Sequence, residues 1–162
     1  MILNFDKNLP FVEGVSLNEI ILNVDTPFYL YSQKSISDSY NKLKKSLNAK
    51  IFFAVKANSN QSIISIMKSL GAGADVVSGG ELKRALTAGV NPNNIIFEGV
   101  GKSVDDIKYA IDKNIRQINI ESLDELLIIN NIANSLSKKA NIGIRVNPDI
   151  NAETLDKITT GR

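Results

Sequence analysis

The sequence predicts an α/β chain built as an incomplete (β/α)8 TIM-type barrel, about five of eight strands, behind a short N-terminal strand-containing segment. Three observations point there. Short apolar runs begin at residues 51, 74, 95, 117 and 142, an almost even pitch. Between them the apolar period changes from that of a strand to that of a helix. No G-x-G-x-x-G turn follows the first run, as a doubly wound dinucleotide-binding sheet would require.

The elements follow in order. Phe11–Val15 and Phe28–Tyr31 are expected as short strands on either side of a helical patch, Leu17 to Leu22. A helix with Ile36, Tyr40, Leu43 and Leu47 on one face leads into the first barrel strand, so residues 1–34 are taken as a separate N-terminal segment and 35–162 as the partial barrel. The barrel strands are 51–55, 74–77, 95–98, 117–120 and 142–146, each rich in β-branched or aromatic residues and apolar enough to be buried in a parallel sheet. The intervening helical faces are Ile63/Ile64/Met67/Leu70, then Leu82/Ala85/Leu86, Val104/Ile107/Ala110/Ile111, and a long one from Leu123 to Leu136. Ser122 with Glu125 has the spacing of a capping box, Ser103 with Asp106 repeats it more weakly, and Gly71 and Gly89 stand where helices should end. Residues 147–162 open with turn chemistry, Asn147-Pro148-Asp149, and carry no clear element.

Composition removes several function classes. Nineteen basic and seventeen acidic residues leave a net charge of +2, too balanced to argue for a nucleic-acid or membrane-surface partner. With no His and no Cys, the chain has no thiol nucleophile, no Ser-His-Asp triad and no imidazole or thiolate metal site. It shows no secretory signal and no apolar run long enough to span a membrane, so a cytoplasmic location is expected.

Chemistry then falls to charged residues at the strand ends, where barrel enzymes keep their sites. Lys56 follows the first apolar strand directly. A lysine desolvated at a barrel mouth loses part of its preference for the ammonium form and becomes a nucleophilic amine. Asp75 lies within the second strand, where a carboxylate needs a partner, and Ser78 and Glu81 open the following helix. Arg145 lies in the fifth strand. Lys56, Asp75, Glu81 and Arg145 converging on one mouth make either a polar site or a structural ion-pair network.

Phe53-Ala54-Val55-Lys56-Ala57-Asn58-Ser59-Asn60 resembles the lysine motif of the fold-type III pyridoxal-phosphate enzymes, and Gly73-Ala74-Asp75-Val76-Val77-Ser78-Gly79-Gly80-Glu81-Leu82 resembles the second block of their ornithine/diaminopimelate/arginine decarboxylase family. Three further pieces are similar to the diaminopimelate branch: Glu13–Leu17 ahead of Thr26–Ser32, Arg145–Asp149, and Lys157–Gly161. The resemblance runs over essentially the whole chain. It implies that Lys56 carries pyridoxal 5'-phosphate covalently, and that Asp75, Ser78, Glu81 and Arg145 lie near the cofactor. It further implies an amino-acid substrate, decarboxylation of meso-2,6-diaminopimelate to L-lysine, and a homodimer in the full-length family.

The family's later blocks have no counterpart here. They are a His-x-Gly-Ser segment, a glycine-rich phosphate loop, a Glu-Pro-Gly-Arg strand and a C-terminal β domain. Leu155 stands where the diaminopimelate branch commonly has His. The chain is therefore expected to be a truncated or split N-terminal part, inactive alone, with residues 1–34 joining the β domain of a full-length member and a C-terminal fragment as a complementing partner. Three alternatives stay open: a non-catalytic pyridoxal-phosphate carrier, an interaction module with open sheet edges, and another decarboxylase of the family, acting on ornithine, arginine or carboxynorspermidine.

Overall fold

The computed structural model describes residues 3–6 and 9–148. The expectations for Asp149, Leu155 and the Lys157–Gly161 block lie outside the described residues. Two compact units divide the chain between Lys50 and Ile51.

In the first unit, β1 (Leu3–Asp6), β2 (Leu9–Val12) and β3 (Val15–Ser16) form an antiparallel sheet in chain order. The expected single strand Phe11–Val15 is in fact a hairpin. Val12 pairs with Val15, and Glu13 and Gly14 both take positive φ, 52° and 82°, as a two-residue hairpin turn matched to strand twist requires. Helix α1 (Leu17–Ile21) starts at Ser16, whose hydroxyl accepts from Asn18 N–H at 3.2 Å. Helix α2 (Gln33–Ser46) is capped by Ser32, and Glu13 reaches the same terminus, accepting from the Ser32 hydroxyl and from Lys34 N–H at 2.9 Å. The second correction concerns Phe28–Tyr31, which is not a strand. Tyr29, Leu30 and Tyr31 are exposed and no strand among the described residues receives their backbone groups; pattern alone does not make a ladder.

The second unit runs β4 (Phe52–Ala54), α3 (Gln61–Ser69), β5 (Gly73–Val76), α4 (Gly79–Thr87), β6 (Ile95–Phe97), α5 (Val104–Asp112), β7 (Gln117–Ile120), α6 (Leu123–Ser135) and β8 (Ile142–Ile144). Its five strands are all parallel and lie in chain order, β4-β5-β6-β7-β8. A doubly wound sheet reverses its order at the first strand; a singly wound order is that of a barrel. The barrel is not closed among the described residues.

Helix ends follow one pattern. Asn60, Ser78, Ser103 and Ser122 cap the starts of α3, α4, α5 and α6 with side-chain oxygens. Each of the four helices ends in a left-handed residue, Gly71, Gly89, Asn114 or Ser137. In each case its N–H and the next residue's return to carbonyls of the last turn, as in Ala72 to Met67 and Val90 to Ala85.

Strand alternation separates two faces. Ala74, Val76, Ile95, Phe97, Ile118 and Ile120 pack under the helices with Ile64, Leu82, Ala85, Ile107, Ala110 and Ile129, and this is the core. The opposite face, the barrel lumen, takes the alternate positions: Gly73 and Asp75 on β5, Ile96 on β6, Gln117 and Asn119 on β7, Gly143 on β8. Close strand approach requires one of these glycines: a Cβ on Gly73 would overlap the Phe52 ring and the Asn94 carbonyl.

Candidate active site

Because the strands are parallel and in register, the residues that follow them meet along one edge of the sheet. Lys56 sits in a 3-10 turn, Val55–Ala57, directly after β4. The turn takes the last residue of the expected strand, buries Val55 completely and leaves Lys56 exposed. Among the described residues the Lys56 ammonium makes no hydrogen bond or ion pair. The apolar enclosure expected around it is not supplied by the five described strands, since the lumen in front of β4 is open.

Asp75 is the third residue of β5, paired in register with Ala54 on one side and Ile96 on the other. Its Oδ1 is buried and has no hydrogen-bond partner. Burial pushes the carboxyl above its ordinary value of 3.8; the negative charge of Glu98 adds to this, the Lys56 ammonium opposes it, and Glu81 adds a further small push. Lys56, Glu81 and Glu98 are thus the charged groups that Asp75 senses.

Ser78 and Glu81 close a capping box at the start of α4. The Ser78 hydroxyl accepts from Glu81 N–H at 3.2 Å, and the Glu81 carboxylate accepts from Val77 N–H at 2.9 Å. Their hydrogen bonds fix the β5–α4 turn. Arg145 stands apart from Asp75: its N–H extends the sheet to Ile120 O at 3.0 Å, and its guanidinium meets Glu121 at 3.1 Å. That pair lines a shallow depression of about 400 Å³ with Val146, Asn147 and Pro148. Of the four residues expected to converge, the structure brings Lys56, Asp75 and Glu81 into one electrostatic group and gives Arg145 a different partner.

Two residues passed over in the sequence belong to this edge. Glu98 follows β6, its N–H bonded to Val76 O at 2.8 Å and its carboxylate accepting from the Asn119 amide. Lys102, in the β6–α5 loop, has a wholly buried side chain whose ammonium donates to Gly99 O at 2.5 Å, Asn119 O at 2.7 Å and Glu125 Oε1 at 2.8 Å. A charged residue closing an apolar strand run was the available signal for Glu98. Nothing local marks Lys102 as buried.

A singly wound βα sheet with an unpartnered lysine amine beside a buried, unsatisfied carboxyl oxygen defines a barrel site able to hold a carbonyl cofactor covalently. The donor set fits pyridoxal phosphate: a lysine without a hydrogen-bond partner for attachment, an acid beside it and a guanidinium further along the edge. Comparison with known proteins gives the family. Residues 33–162 match the pyridoxal binding domain of the pyridoxal-dependent decarboxylases, and the chain belongs to that family. Its cofactor is pyridoxal phosphate.

Among curated relatives, the diaminopimelate decarboxylase of Aquifex aeolicus is 45% identical over 152 residues, covering 93% of this chain and 36% of the relative. That of Helicobacter pylori (strain J99) is 47% identical over 146 residues, covering 88% and 36%. Among solved structures, H. pylori diaminopimelate decarboxylase complexed with L-lysine superposes with a TM-score of 0.84 at 45% identity, over 88% of this chain and 37% of that one. The M. jannaschii enzyme superposes with a TM-score of 0.86 at 34% identity, over 99% and 39%. The chain thus spans little more than a third of the relatives it matches. No helix among the described residues is long and apolar enough to cross a membrane.

Proposed function

We propose that this chain is the cofactor-lysine part of a cytoplasmic diaminopimelate decarboxylase, which releases carbon dioxide from meso-2,6-diaminopimelate to give L-lysine. The observation that carries the proposal is the Lys56 amine, unpartnered at the end of β4 beside Asp75, in a chain whose curated relatives at 45% and 47% identity are diaminopimelate decarboxylases.

In this proposal Lys56 holds the cofactor, and Asp75 orients it from the neighbouring strand. Ser78 and Glu81 hold the β5–α4 turn against the cofactor's edge. Arg145, with Glu121 setting its guanidinium, places a positive charge at the far end of the row for an anionic group. When bound, pyridoxal phosphate supplies the electron sink for the pair left behind as carbon dioxide departs. Residues 1–34 join a β domain and 35–162 form the barrel portion. The working assembly is a homodimer, with the remaining two thirds of a relative's length supplied by further chain or by a complementing fragment.

The test is incubation with pyridoxal phosphate, borohydride reduction and peptide mapping, followed by an assay of carbon dioxide release after co-expression with the remaining two thirds of the A. aeolicus relative. The expected adduct is on Lys56 and absent from Lys56→Ala, with release from meso-diaminopimelate only in the combined preparation. Equal labelling of Lys56→Ala overturns the cofactor assignment. Release from ornithine but not from diaminopimelate overturns the substrate.

A further inference from the structure

The lumen face carries a hydrogen-bonded chain for which the roles above give no use. Gln117 and Asn119 lie two apart on β7 and point the same way. Gln117 Nε2 donates to Asn119 Oδ1 at 2.6 Å, and Asn119 Nδ2 donates to Glu98 Oε1. An amide that accepts at its oxygen and donates at its nitrogen to fixed partners has one orientation. Gly143 faces Asn119 in register, and a Cβ there would overlap both amides, so the chain depends on a glycine at that position.

Asp75 feels two other carboxyl groups, Glu98 at the end of β6 and Glu81 in the first turn of α4, and among the described residues one cation, the exposed Lys56. Glu81 accepts from a backbone N–H and Glu98 from the Asn119 amide. Asp75 has a buried oxygen to which nothing donates. A buried carboxyl oxygen to which nothing donates favours the protonated form of its own group. We propose that Glu98, oriented by Asn119 and Gln117, is a positioning residue that keeps the Asp75 carboxyl protonated, so that Asp75 offers an O–H donor instead of a further negative charge to the acceptor atoms of the cofactor on Lys56. The cofactor clause rests on the function proposed above; the proton's place does not. Burial and the Glu98 charge, the two largest influences on Asp75, act in this direction, and Lys56 opposes them.

The experiment is a carbon-detected NMR titration of the Asp and Glu carboxyls of the chain without added cofactor. Asp75 is expected to titrate above the ordinary aspartate value, and in Glu98→Gln, which preserves shape and an acceptor for Asn119, to fall toward it. In Asn119→Leu, which removes the amide that orients the Glu98 carboxylate, the Asp75 midpoint is expected to change as well, while the dispersion of the backbone spectrum reports an intact fold. An ordinary Asp75 midpoint in the unaltered chain overturns the proposal before any variant is made. So does an unmoved midpoint in a folded Glu98→Gln. Adduct formation at Lys56 is read separately. A labelled Lys56 beside an ordinary Asp75 rejects this proposal alone. An unlabelled Lys56 beside a raised Asp75 rejects the cofactor assignment and upholds the proton's place.

Discussion

Asp75 has a consequence for stability as well as for the site. Because burial, then Glu98, raise its carboxyl, the folded chain binds this proton more tightly than the unfolded chain does. Below the ordinary value of 3.8 both states are protonated and the stabilisation is complete. As pH rises above that value the unfolded chain ionises while the folded chain still holds the proton, and the stabilisation is lost over the interval up to the raised value. Asp75→Asn removes the ionisation and keeps the shape. Its thermal midpoint is expected to exceed that of the unaltered chain at neutral pH. The gain should vanish when the same scans are run below 3.8. A variant less stable at neutral pH would show that Asp75 is paired in solution. A residue held at a cost to the fold is what an active site selects. The sequence disclosed Asp75 because a charge interrupts an apolar strand. It did not disclose Glu98 as its neighbour, since that contact depends on the register of Asp75 with Ile96, a relation between strands.

At the scale of elements, Lys102 does the joining. Its buried ammonium ties the loop after β6 to the end of β7 and to Glu125 in the first turn of α6, while the Phe97 ring lies 5.8 Å from it. The other Glu125 oxygen accepts from Glu121 N–H at 2.9 Å, so one carboxylate both caps the helix and neutralises the lysine. Lys102→Met leaves that carboxylate poorly compensated and is expected to cost about 3–5 kcal/mol in urea unfolding. Adding Glu125→Gln, which keeps the cap without the charge, should return part of the loss. A cost below about 1 kcal/mol would mean that the pair is replaced by water. The Ser122/Glu125 box was legible in the sequence because its partners are three residues apart, and Gly71 and Gly89 were legible as helix ends because glycine favours left-handed backbone. The Lys102–Glu125 pair spans 23 residues and was not legible. Nor were the left-handed stops at Asn114 and Ser137, or the turn at Glu13 inside an apolar run, where positive φ falls on non-glycine residues. Apolar pattern also misled at Phe28–Tyr31, because a strand is a relation between segments.

For the whole molecule, the pitch of the apolar runs was enough to foretell a singly wound sheet, and the order β4-β5-β6-β7-β8 bears it out. What pitch does not show is which surfaces remain uncovered. In register, Ile142 and Ile144 continue the helix-side rows of Ile118 and Ile120, yet Ile144 is 74% exposed and Val146, just beyond it, 75%. On α6, Leu123 and Leu127 are exposed as well, at 77% and 60%. Among the described residues β8 is the outermost strand, and an edge strand bearing apolar side chains is a template for another strand. The 162-residue chain is therefore expected to self-associate in sedimentation velocity, increasingly with concentration, through the β8 edge. Ile144→Lys places a charge on that edge without touching the core, and should shift the distribution toward monomer while leaving the unfolding midpoint nearly unchanged. Phe5→Lys, an equally exposed apolar site at 64% on β1 of the other unit, should leave association as it was. A monomer at every concentration, or association untouched by Ile144→Lys, would exclude β8 as the contact. Association abolished equally by both substitutions would make net charge, and not an open strand, its cause.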